Sequence, residues 1–100
     1  MDLRVSVTSE VVEIAQSNDL RRLQVTLTDS ASDDEATRVL GVLGRVYDEY
    51  AWLNVESLRR QAGLGEANWD KDFTAMIEFA RVQGWTTSDG SLVRAHVVRP

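Results

Sequence analysis

The spacing of apolar residues changes at Ser32, and that change constrains this chain more than any other feature. Before it, Leu3, Val5, Val7 and Val11 share one parity, and after the polar break Ser17-Asn18-Asp19, Leu23, Val25 and Leu27 alternate with Arg22, Gln24 and Thr26. A period of two marks half-buried strands, so residues 3–28 predict an N-terminal β-hairpin. Residues 9–16 alternate less cleanly and are compatible with a short helix, but their β-branched content favours strand. After Ser32, Ala36, Val39, Leu40, Leu43, Val46, Tyr47 and Tyr50 recur at helical spacing and predict a helix over 33–50.

Local chemistry supports these elements. Ser32 is placed to accept from the Glu35 amide while Glu35 reaches back to Ser32, a capping box reinforced by Asp33 and Asp34 at the positive end of the helix dipole. Gly41 and Gly44 cost about 1 kcal/mol each relative to Ala within a helix, so close approach of another element is their expected reason. Ala51-Trp52-Leu53 reads as an extended link. Asn54 then caps a short second helix ending near Gly63, with Leu53 and Leu58 as its hydrophobic staple. A third helix starts near Asn68 or Trp69 and stops at Gly84. Asp89-Gly90, between 85–88 and 91–98, is a two-residue type I′ hairpin signal.

In this order the elements resemble the winged helix-turn-helix superfamily over residues 33–98. The resemblance rests on Val55-Glu56-Ser57-Leu58-Arg59-Arg60-Gln61-Ala62-Gly63-Leu64, similar to the first helix of a helix-turn-helix unit. It rests also on Phe73-Thr74-Ala75-Met76-Ile77-Glu78-Phe79-Ala80-Arg81-Val82-Gln83-Gly84-Trp85, similar to a recognition helix entering the wing. It implies an α+β fold: an N-terminal β-hairpin followed by a three-helix winged helix-turn-helix with a C-terminal β-hairpin wing. The single domain 1–100 then divides into a strand-rich extension, 1–29, and a winged-helix body, 30–98. Two departures make this an atypical, acidic member: Glu66-Ala67-Asn68-Trp69 adds about one turn before the third helix, and the minimal family lacks the extension.

Charge argues against the DNA binding that such a resemblance would suggest. One hundred residues hold a single core, and 16 acids against 11 bases leave a net charge of −5. Residues 1–30 carry −2, 31–84 carry −4 and 85–100 carry +1. The third helix offers Glu66, Asp70 and Asp72 against Lys71, opposite a duplex with one negative charge per roughly 1.7 Å. Nucleic-acid recognition therefore stays an alternative, with Arg59, Arg60, Lys71, Arg94 and His96 as its contacts. Within the wing, Trp85 faces Arg94, so a cation–π or stem-packing contact is the simpler role for that arginine. Arg21 and Arg22 suit edge protection better than a backbone clamp.

On a helical wheel, Trp69, Phe73, Met76, Ile77 and Ala80 form the core face of the third helix. A second apolar strip, Ala75, Phe79 and Val82, lies beside Asp72. Packing under the N-terminal hairpin is the simplest use for that strip; a docking patch is the functional one. The leading expectation is a non-enzymatic protein–protein interaction module, a small adaptor or subunit, with Trp69, Asp72, Ala75, Phe79 and Val82 at its interface with another protein or a second copy. An acidic inhibitor or immunity-type protein is a further alternative. No catalytic residues, cofactor or metal ligands are expected: His96 stands alone, Gly63-Leu64-Gly65 lacks a dinucleotide fingerprint, and capping accounts for Asp33-Asp34-Glu35. No small-molecule substrate is evident. With no cysteine, no secretory signal and no membrane-length apolar run, a cytoplasmic protein is expected. Ten arginines to one lysine hint at a GC-rich bacterial source.

Overall fold

The computed structural model describes residues 1–100. In chain order the elements are β1 (Asp2–Ser6), β2 (Val11–Ala15), β3 (Gln24–Leu27), α1 (Asp33–Leu40), a 3-10 turn (Gly41–Leu43), β4 (Gly44–Tyr47), β5 (Tyr50–Asn54), α2 (Val55–Gly63), α3 (Ala67–Val82) and β6 (Leu92–Val98). The strands form one curled mixed sheet, ordered β2-β1-β3-β6-β5-β4. Its flanks are antiparallel, whereas β3 runs parallel to both β1 and β6.

This sheet overturns the expected three-helix winged helix with a single hairpin wing, and the reasons lie in three places. The helix expected over 33–50 ends at Leu40. Gly41 takes a φ of +57°, and Gly44, at φ +152°, lies so close to β5 that a Cβ there would meet the Trp52 carbonyl oxygen at 2.2 Å. The close approach expected of these glycines is present at Gly44 alone, where it starts a strand; Gly41 has open space around it and ends the helix through its positive φ. Val46 then points into the core at 4% exposure while Tyr47 stands 74% exposed; a stripe that read as helical is an alternating one. The N-terminal hairpin is also shorter than 3–28: β1 pairs with β2, and β3 returns on the far side of β1, where it joins β6. Finally, the last hairpin is not type I′, which requires positive φ at both central residues. Only Gly90 has it, and a four-residue link separates the paired Thr87 and Leu92. The Asp89 carboxylate fills that link, accepting from the Ser91 amide and hydroxyl and from the Thr87 hydroxyl.

The caps match the local chemistry. The Ser32–Glu35 capping box is formed in both directions, and the Asn54 side chain accepts from the Ser57 amide at 2.9 Å. Register places Leu3, Val5, Val25, Leu27, Val97, Ala95, Ala51, Leu53 and Val46 on one face of the sheet, all buried. Ala36 and Leu40 of α1 close this core from one side, with Leu58, Trp69, Phe73 and Ala80 of α2 and α3 completing it. Burying Phe73 completely is worth about 1.5–3 kcal/mol. The opposite parity faces outward: Arg45, Trp52 and Arg94 form one cross-strand row, and Tyr47, Tyr50, His96 and Gln24 the next.

Candidate functional site

The sheet has a break beside β6. Gln24 pairs with His96 at the start of β3, and Thr86 bridges Val93, so Ala95 has no strand next to it on that side. Across the break run residues 16–23, the link from β2 to β3. Polar bonds hold this link at both ends: the Trp69 indole N–H donates to the Ser17 carbonyl at 2.7 Å, and the Met1 nitrogen donates to the Arg22 carbonyl at 2.7 Å and to that of Asp19. Leu20 and Leu23 thereby come opposite the C-terminal half of α3.

Between them is a cleft of about 540 Å³, within the range of ligand sites. Nine of its thirteen lining residues are apolar, chiefly Leu20, Leu23, Met76, Phe79, Ala80 and Trp85, with Tyr50 at the edge. The other four are Arg21, Arg22, Arg94 and His96. Every residue among these four is basic and no carboxylate joins them, in a chain whose net charge is −5. Aromatic geometry shapes the mouth: Phe79 meets Trp85 edge-on at 5.9 Å, His96 meets Tyr50 edge-on at 6.1 Å, and the Arg94 guanidinium lies 4.4 Å from the Tyr50 ring centre.

These cations are underused. Arg4, Arg38, Arg59, Arg81 and Arg99 each hold a carboxylate, with Asp2, Glu10, Asp70, Glu78 and Asp33. In the cleft only Arg21 approaches one, Asp19 at 4.0 Å, with its side chain 97% exposed; such a pair contributes little. Neither Arg22 nor Arg94 has an ion-pair partner. An apolar hollow with free guanidinium groups at its rim suits an apolar group that carries negative charge, since the cations gain a partner without losing one. The wall has no serine or threonine hydroxyl and no carboxylate.

The residues expected at an interface are dispersed. Trp69 is 5% exposed and stacks on Phe73 at 4.8 Å, an anchor of the core. Asp72 and Ala75 border a shallow hollow with Asn18 and Asp19. Phe79 lines the cleft, and Val82 stands 74% exposed beyond it. The strip is thus not packed under the N-terminal hairpin. The residues expected to contact nucleic acid fall into two groups. Arg59 is occupied within the helices, donating to Asp70 at 2.7 Å and Thr74 at 2.9 Å and lying over Phe73, with Arg60 and Lys71 exposed nearby. Arg94 and His96 sit at the cleft. Arg94 pairs with Trp85 through its backbone, as the register implied, but its guanidinium covers Tyr50 instead.

Leu20, Arg22, Leu23, Tyr50, Met76 and Trp85 were not recognised from the sequence as one site. The only local signal is two leucines flanking Arg21-Arg22, and it names no partner. No helix is long and apolar enough to cross a membrane, and no group of three or more His, Asp or Glu side chains is gathered to hold a metal ion. Comparison with protein-family models, with curated proteins and with solved structures gives no match to this chain.

Proposed function

We propose that this chain is a non-enzymatic protein-binding module whose docking site is the cleft between α3, residues 20–23 and β6. The occupant is a partner segment that presents an aromatic or branched aliphatic side chain flanked by carboxylates. The observation that carries this reading is the lining itself: nine apolar residues and four basic ones, without an acid. Exposed Phe79 and Val82 extend the apolar surface beyond the cleft mouth. Tryptophan, tyrosine and arginine are the side chains that most often dominate binding energy at interfaces, and Trp85, Tyr50 and Arg94 meet here.

The test uses two labelled peptides, one with a phenylalanine between four aspartates and its counterpart with four lysines, titrated by anisotropy. The acidic peptide should bind and the basic one should not. Replacement of Phe79 by Asp, at a site 58% exposed, should weaken the acidic peptide by about tenfold or more while leaving the melting temperature nearly unchanged. Equal binding of both peptides, or an affinity indifferent to Phe79→Asp, would refute the site. Sedimentation of the chain alone separates self-association from capture of another protein, since a second copy also presents carboxylates.

A further inference from the structure

We infer that the outward face of β4, β5 and β6, together with Trp85, binds a short stretch of single-stranded nucleic acid. This extends beyond the cleft, with which it shares Tyr50, Trp85, Arg94 and His96, and rests on a different observation, the cross-strand register. Arg45 lies opposite Trp52, Trp52 opposite Arg94, and Arg94 beside Trp85, so cations and indoles alternate across four adjacent backbone segments. The next row carries Tyr47, Tyr50 and His96. Tyr47, Tyr50 and Trp85 are 74%, 37% and 38% exposed. Tyr47 is open, whereas Arg94 lies over the Tyr50 ring and Phe79 meets Trp85 edge-on, leaving those two partly open; exposed rings are a cost unless something covers them.

Charge identifies the occupant. The outward positions of β4, β5 and β6 carry Arg45, Arg94 and His96 and not one carboxylate. Asp2, at the far end of the second row, is already held by Arg4 and by the Thr26 hydroxyl. The unpaired acids bordering this face are Asp48 and Glu49, together in the β4–β5 turn. The negative charge of the chain therefore lies elsewhere, including the α3 surface that would have faced a duplex. Adjacent strands are about 4.8 Å apart, so Arg45 and Arg94 stand roughly 10 Å apart, as do Trp52 and Trp85. Phosphates over the arginines would leave intervening bases above the rings. Stacked rings among cations hold single strands with little sequence preference, because every base has a flat face. An acidic peptide satisfies the cations but offers at most an occasional flat side chain, not one per phosphate-sized step, and a duplex keeps its bases stacked on one another.

The experiment titrates the full chain into fluorescein-labelled hexathymidylate and hexauridylate, following anisotropy and tryptophan quenching between 20 and 200 mM salt, values chosen to span roughly a tenfold range. Binding should weaken with salt at a log–log slope of about −2, for about three phosphate contacts on a single strand. Arg45→Ser should flatten that slope by about 0.7. Trp52→Val should weaken binding roughly tenfold, and Tyr47→Ser, at a site too exposed to matter for folding, by several-fold. Met76→Gln, which alters the cleft alone, should leave oligonucleotide affinity within about twofold. Two results would overturn the inference: no binding at the lowest salt, or affinities indifferent to both Trp52→Val and Tyr47→Ser. Tyr50, Trp85, Arg94 and His96 serve both surfaces, so the readings are separated by residues that only one of them uses: Arg45, Tyr47 and Trp52 for the single strand, Met76 and Phe79 for the acidic peptide.

Discussion

Replacing Gly63 with alanine should destabilise this protein although the same change usually stabilises a helix. Gly63 is the last residue of α2 and its φ is not positive, so backbone conformation does not require glycine there. Alanine would ordinarily gain about 0.5–1 kcal/mol. Here its Cβ would sit 2.4 Å from Cε3 and 2.5 Å from Cζ3 of Trp69, about 1 Å short of the 3.4 Å at which ordinary contact begins. The indole is poorly placed to yield: it is stacked on fully buried Phe73 at an interplanar angle of 15°, and its N–H is bonded to the Ser17 carbonyl. Forcing a side chain into such a site costs about 1–3 kcal/mol, and breaking the indole bond about 1 kcal/mol more. After the helical gain is subtracted, the net loss is about 1–3 kcal/mol. For a chain of this size each kcal/mol lowers the melting temperature by about 4–8 °C, so a fall of roughly 5–20 °C is expected by thermal or urea unfolding. In a Trp69→Ala background the same substitution should become neutral or stabilising, because the collision is gone. A melting temperature for Gly63→Ala equal to or above that of the parent would refute the reasoning. Since Trp69 also holds the 16–23 link, the variant should bind the acidic peptide more weakly as well.

Three further outcomes follow from the polar contacts. The Thr8 and Val7 amides and the Ser6 hydroxyl hold the Asp29 carboxyl down to about 2, so its contribution is complete above the ordinary carboxylate range and is lost as pH falls through about 4 toward 2; Asp29→Ala should lower the urea midpoint at pH near 7 and lose most of that difference by pH about 2. The Val46 amide donates to the Thr37 hydroxyl at 2.9 Å, and Thr37→Val, by leaving it unpaired, should cost about 1–3 kcal/mol and accelerate hydrogen exchange at Val46. Arg59 joins α2 to α3 through Asp70 and Thr74, so Arg59→Ala should lower stability by about 1 kcal/mol, whereas Arg60→Ala and Lys71→Ala should stay within about 0.5 kcal/mol of the parent.

How legible each part was depended on how far its determinants lie along the chain. The capping box at Ser32 and the Asn54 cap come from side chains three residues from the amides they serve, and such local chemistry is written in order. The segment after Leu40 was misread because Val46, Tyr47 and Tyr50 satisfy helical spacing as well as the alternation they adopt. The deciding contact is Gly44 against the Trp52 carbonyl, which exists only once β4 and β5 have paired. The strip of Ala75, Phe79 and Val82 was visible as surplus apolar width, but not the side of it that would stay open.

From sequence alone, then, came one small acidic core, the helix caps, the second and third helices, and the surplus on α3. Tertiary structure alone decided that β3 joins β6, that Leu20 and Leu23 face Met76 and Phe79, and that Arg21, Arg22, Arg94 and His96 line one cleft of an acidic chain. The physical reason is that periodicity records which side of a local element is apolar, and composition records how many charges there are. Which groups then share a cleft or a sheet face is fixed by strand pairing between segments as much as seventy residues apart, such as Gln24 with His96.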